Sequence, residues 1–133
     1  MRELELFVQS LESHADAVQS LRRSVLSDAG AELLATVQSR IGGTGRVQSW
    51  QETRMGSGGG YAAVRPKAKT WDEHRRAVGA VTTAIEYGHA PGYHQSGRVA
   101  GKYMYTKSGP DAERLAYEAA DTLANRIAEE LER

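Results

Sequence analysis

The chain of 133 residues has no cysteine, three prolines and one phenylalanine. Without cysteine there is no disulfide, no thiolate metal site and no cysteine nucleophile, and a reducing cytosol is the natural setting. No apolar run approaches the ~18 residues of a membrane-spanning helix. The opening Met1-Arg2-Glu3-Leu4-Glu5 lacks the basic head and apolar stretch of a signal peptide. Neither sign of charge is in excess, with 17 Lys plus Arg against 17 Asp plus Glu. The length suits a single domain, 1–133, with one core and no room for a second.

Catalytic constellations are also missing. His89 and His94 lie five apart in a glycine-rich stretch, and His74 is distant, so no metal-ligand spacing appears. No Gly-x-Ser-x-Gly elbow accompanies the serines. The run Gly56-Ser57-Gly58-Gly59-Gly60 lacks the Gly-Lys-Ser/Thr ending of a phosphate loop and joins two strands rather than a strand and a helix. The mid-chain acids Glu52, Asp72, Glu73 and Glu86 form no evident acid–base pair. The expectation is a protein without catalysis, cofactor or metal.

What is present is helical periodicity at both ends. Val18, Leu21, Val25, Ala29, Leu33, Val37 and Ile41 recur every three or four residues and predict a helix over 11–41. Gly30 is a soft spot in it, and Gly42-Gly43 ends it. The first ten residues are ambiguous. Leu4, Leu6 and Val8 alternate as in a strand, whereas Leu4, Phe7 and Leu11 fit a helix. Residues 46–55 and 61–65, joined by the glycine run, predict a β-hairpin that Pro66 ends or places at an edge. Residues 67–77 read as a polar, basic loop, with a helical turn as an option. Val78, Val81 and Ile85 favour a short helix over 78–87, with a strand as the alternative. Residues 88–102, with four glycines, read as a long flexible loop, and Tyr103-Met104-Tyr105-Thr106 as a short strand. Pro110 and Asp111 open a helix over 110–132, with Leu115, Ala119, Leu123, Ile127 and Leu131 on one face and a stripe of alanines beside it. The fold class is α+β: two long helices packed on a small antiparallel sheet containing a β-hairpin.

Charge is segregated along the chain. The net is −3 over residues 1–39, +7 over 40–107 and −4 over 108–133. Such a pattern suits a solvated sheet on acidic helices, or complementary contacts between proteins. In the basic middle, Trp71, Tyr103 and Tyr105 are mixed with Arg65, Lys67, Lys69, Arg75, Arg76, Arg98, Lys102 and Lys107. That mixture keeps open an alternative, a small intracellular nucleic-acid-binding protein using residues 65–107. No recognised binding motif accompanies it.

Three segments resemble a known family. Ala84-Ile85-Glu86-Tyr87-Gly88-His89 is similar to the (V/I)-E-(Y/F)-G-(T/H) segment of tailed-phage neck and tail-completion proteins, also termed minor capsid or head–tail joining proteins. Gly97-Arg98-Val99-Ala100-Gly101-Lys102-Tyr103-Met104 matches the glycine-rich loop and aromatic-methionine element that follow in one branch. Gly43-Thr44-Gly45-Arg46-Val47-Gln48-Ser49-Trp50 is similar to the T-G-(R/N)-L-x-x-S lead into the hairpin. The chain departs from the family in its basic insertion at 67–77 and in lacking the A-R-P-F phrase of the commoner branch. The resemblance implies a structural virion protein of a phage or prophage, joining head to tail or completing the tail end. It implies a ring of copies, commonly six, between a connector or adaptor protein and a tail-tube or tail-terminator protein, with DNA passing through. Its location would be the virion neck or tail, and the host cytoplasm during assembly. On that reading the loop 88–102 orders on assembly. His89, Tyr93, Arg98, Lys102 and Tyr103 are then the expected protein-interface residues.

Overall fold

A computed structural model describes residues 2–42, 46–89 and 97–132. The fold is α+β. Helix α1 spans Arg2–Ile41, α2 is a single turn at Arg46–Ser49, and strands β1 (Gln51–Met55) and β2 (Ala62–Pro66) form an antiparallel hairpin. Helix α3 (Val78–Tyr87) follows, then a two-residue ribbon of β3 (Gly88–His89) and β4 (Val99–Ala100). The turn α4 (Met104–Lys107) leads into α5 (Gly109–Leu131).

Helix α1 runs unbroken through Gly30 and takes in the first ten residues, so their helical option holds. Helix α5 packs antiparallel on it. Asp111, in the first turn of α5, is 2.6 Å from Arg40, in the last turn of α1. Each charge thereby sits at the helix end whose dipole it complements. Farther along, Val25 faces the stretch of α5 around Ala119 and Thr122. Carried on at 1.5 Å per residue, this register brings Leu131 beside about residue 14 of α1. Among the described residues no helix lies alongside the preceding turns of α1, and Leu4, Leu6 and Val8 are exposed there.

The hairpin crosses α1 at Gly30. The Thr53 hydroxyl donates to the Gly30 carbonyl at 3.0 Å, and a Cβ at Gly30 would lie 2.6 Å from Thr53 Cγ2. The glycine expected to weaken the helix is therefore the point of closest approach. The glycine tip of the hairpin reaches back to α1, where Arg22 donates to the Gly58 carbonyl at 3.2 Å. Its base lies at the other end of α1, where Val37, Ile41 and Met104 form a fully buried cluster.

Two expectations are corrected. The first strand starts at Gln51, not at 46, because residues 46–49 form a helical turn held by Gln48 and Gln38, whose amides donate to each other's carbonyls at 2.8 and 3.1 Å. Residues 104–107 are helical rather than extended. The ends of the loop 88–102 are also more regular than expected, since Gly88 pairs with Ala100 and His89 with Val99.

The basic stretch 67–77 folds into a closed turn with no helix in it. Trp71 bridges Ala77, Val78 N–H donates to the Thr70 carbonyl at 3.0 Å, and Arg75 sits at its tip with φ 62°. Asp72 staples it. One carboxylate oxygen accepts from His74 N–H at 2.9 Å and Arg76 N–H at 2.8 Å, and the other from the Arg76 guanidinium at 2.9 Å. Burial pushes this carboxyl up, but the bonds from Arg76 and His74 outweigh it and hold the pKa below the ordinary value.

Candidate protein interface

The ribbon β3–β4 is placed by close backbone packing. Gly88 has φ 89°, and a Cβ there would lie 2.5 Å from the Val99 carbonyl oxygen. A Cβ on Gly101 would lie 2.4 Å from the Glu86 carbonyl oxygen. Only two glycines let these segments touch. Across the contact, Lys102 N–H donates to the Ile85 carbonyl at 2.9 Å and Tyr103 N–H to the Glu86 carbonyl at 3.0 Å.

Glu86 is the centre of this region. It is 3% exposed, and its carboxylate accepts from Tyr105 N–H at 2.8 Å, Thr106 N–H at 3.0 Å and the Thr106 hydroxyl at 2.9 Å. Those amides are the unpaired donors at the N-terminus of α4. A carboxylate from α3 thus caps a helix about twenty residues later, which explains why Met-Tyr-Thr-Lys is helical although Met104, Tyr105 and Thr106 lie in a stretch with strand preference.

A second polar chain joins α3, α4 and the hairpin. The Tyr105 hydroxyl donates to the Gln51 side-chain carbonyl. The Gln51 amide donates to the Thr82 hydroxyl at 3.1 Å, and that hydroxyl donates to the Val78 carbonyl at 2.7 Å. Burial, and secondarily the Glu86 carboxylate, push the Tyr105 pKa up to about 12. An unfolded tyrosine titrates near 10. Above that pH the unfolded chain has released a proton that the native state keeps, so stability falls as pH rises. This contribution is present in full below about 10 and is lost as the pH rises through about 12. Chemical denaturation at successive pH values is expected to show that decline, and Tyr105→Phe to flatten it. An unchanged slope in the variant would assign the decline to other groups.

Four of the five expected interface residues come together around this frame. His89 lies in β3 opposite Val99. The Arg98 guanidinium donates to the Tyr87 carbonyl at 2.8 Å. Lys102 Nζ lies 3.5 Å from the Ile41 carbonyl, at the negative end of α1. Tyr103 has φ 50°, a sparsely populated conformation for a side-chain-bearing residue, and its ring meets the edge of Tyr87 at 6.2 Å between centroids. Tyr93 lies outside the described residues. Arg98 and Lys102 are therefore also used within the subunit. The outward surface here mixes the exposed Tyr87, Val99 and Tyr103 with the exposed His89, Arg98 and Lys102. Sequence reasoning missed Tyr87 and Val99, although both lie inside the motifs it singled out.

A second surface lies along α1. Helix α1, α5 and the hairpin enclose an open groove of ≈ 380 Å³ between Leu26, Leu33, Ala62, Ala116, Ala120 and Leu123. The small residues of α5 leave it unfilled. Among the described residues no group of His, Asp and Glu could hold a metal ion, and no helix is long and apolar enough to cross a membrane. No family model, curated protein or solved structure matches the chain.

Proposed function

We propose that this chain is a non-catalytic structural subunit of a tailed-phage or prophage particle, one of a ring of copies that joins head and tail or completes the tail end. One observation carries the assembly part of this reading. The molecule exposes 9313 Å² of surface at a mass of 14.5 kDa. A compact monomer of that mass exposes roughly 6,900 Å². The excess, about 2,400 Å², equals roughly three standard protein–protein patches of ~800 Å² per partner. Exposed large apolar residues stand at the start of α1 (Leu4, Leu6, Val8) and in the Tyr87–Val99–Tyr103 patch, and apolar side chains line most of the groove beside α5. Large exposed apolar areas mark interaction surfaces. A ring subunit between two other proteins meets a neighbour on each side in the ring and a different protein above and below, and surface of this extent suits such contacts.

The phage part rests on the ordered resemblance of residues 43–50, 84–89 and 97–104 to neck and tail-completion proteins. Glu86, Gly88 and Gly101 stand in those motifs, and each has a structural task that gives the motif letters a physical reason. The deciding experiment is electron microscopy of particles made without this chain. Filled heads lying apart from finished tails are the expected result for a joining role, and overlong or unstable tails for a tail-end role. Normal particles would overturn the proposal.

A further inference from the structure

The two ends of α1 carry opposite surfaces. Forty residues at 1.5 Å rise set them about 60 Å apart. At the N-terminal end, Glu5, Glu12 and Asp16 are spaced seven and four residues apart and share one helical face. Leu4 and Val8, four apart, form an exposed apolar strip beside them. None of these three acids makes an ion pair among the described residues. At the other end stands the turn closed by Asp72. It carries Trp71, 61% exposed, among Lys67, Lys69 and Arg75, which likewise make no ion pair among the described residues.

The geometry points to a head-to-tail contact between copies of this chain, in which the Trp71 turn of one copy docks on the first turns of α1 of the next. Trp71 covers the Leu4–Val8 strip while the three cations meet the three acids. The distance between the ends rules out closure within one molecule. The acids of α1 and the cations of the turn belong to the same chain, so both halves of a complementary pair are present on each copy. A contact between two different patches propagates, and it closes into a ring when the rotation allows. The turn is suited to this work, since the buried Asp72 carboxylate and the Trp71–Ala77 bridge fix its shape before association. This inference rests on the ring reading above and adds which surfaces meet.

The test is a charge swap in the full chain, read by sedimentation of the purified protein. One variant carries Lys67→Glu, Lys69→Glu and Arg75→Glu, and the other carries Glu5→Lys, Glu12→Lys and Asp16→Lys. Each alone is expected to weaken self-association roughly tenfold or more, because like charges then face each other. An equimolar mixture is expected to regain association, and Trp71→Ala to lose it without changed charge. All substitutions are on exposed side chains, so circular dichroism should match the parent, with only a small fall in thermal midpoint from Glu5→Lys at the positive end of α1. Variants that associate like the parent, a mixture that stays dissociated, or a parent that is monomeric at every concentration would overturn the contact. Loss of binding to a DNA oligonucleotide in the first variant, with self-association unchanged, would overturn it too and assign the turn to nucleic acid. Failure here leaves the particle reading to the micrographs, which score assembly whatever surfaces the ring uses.

Discussion

Replacing Glu86 by alanine is expected to destabilise the protein by about 3 kcal/mol. The change removes the acceptor of three hydrogen bonds at once, from Tyr105 N–H, Thr106 N–H and the Thr106 hydroxyl. A buried donor left without a partner costs about 1–3 kcal/mol, and charge-assisted bonds stand at the upper end of the scale. Water entering the vacated space offsets part of the sum. Glu86→Gln keeps both acceptor capacity and shape in part, since its single carbonyl can serve one side of the cap. About half the loss is expected for it. Urea denaturation measures both, and the alanine variant should melt about 10 °C lower. The result also separates two roles for this motif residue. A carboxylate that only contacts a partner would leave the isolated chain as stable as the parent when removed, and that outcome would sink the capping role.

The Glu86 cap also shows where sequence reasoning reaches its limit. The periodic helices were legible because an apolar stripe is a local property: the residues from Val18 to Ile41 and from Leu115 to Leu131 carry it on their own. The hairpin was legible from its glycine run, and the helix at 78–87 from Val78, Val81 and Ile85. Residues 103–106 were not, because their state is decided by a side chain from another helix. Residues 46–49 were misread for a similar reason, since the carbonyls and amides that hold them belong to Gln38 as well as Gln48. Of the candidate interface, His89, Arg98, Lys102 and Tyr103 were brought together by the ribbon, but their partners Tyr87 and Val99 were invisible until Gly88 and Gly101 were seen to touch. Burial within the motif went unread too: Glu86 looked like one acid among four until its three donors were placed around it.

Gly30 poses the same problem in a form that can be decided by sign. By helix propensity alone, Gly30→Ala should stabilise the protein by about 1 kcal/mol, since the position is interior to a forty-residue helix. The packing argues the reverse. The new methyl would sit 2.6 Å from Thr53 Cγ2 and 3.3 Å from Ala62 Cβ. Overpacking of this kind costs about 1–3 kcal/mol. Thr53 cannot simply turn away, because its hydroxyl donates to the Gly30 carbonyl at 3.0 Å, a bond worth about 1 kcal/mol. The net expectation is destabilisation by about 1–2 kcal/mol. Thr53→Ser removes the offending methyl and keeps the hydroxyl. The double variant Gly30→Ala with Thr53→Ser should therefore recover much of the loss, with a coupling of about 1–2 kcal/mol in a double-mutant cycle. A stabilised single variant with additive behaviour would mean that the hairpin does not rest on α1 at this point. That contact sets the angle at which the hairpin leaves the helix, and hence where its base holds the Trp71 turn and the Glu86 frame. An assembly assay on the same variants would then register the shift, with Gly30→Ala weakening self-association and Thr53→Ser restoring it.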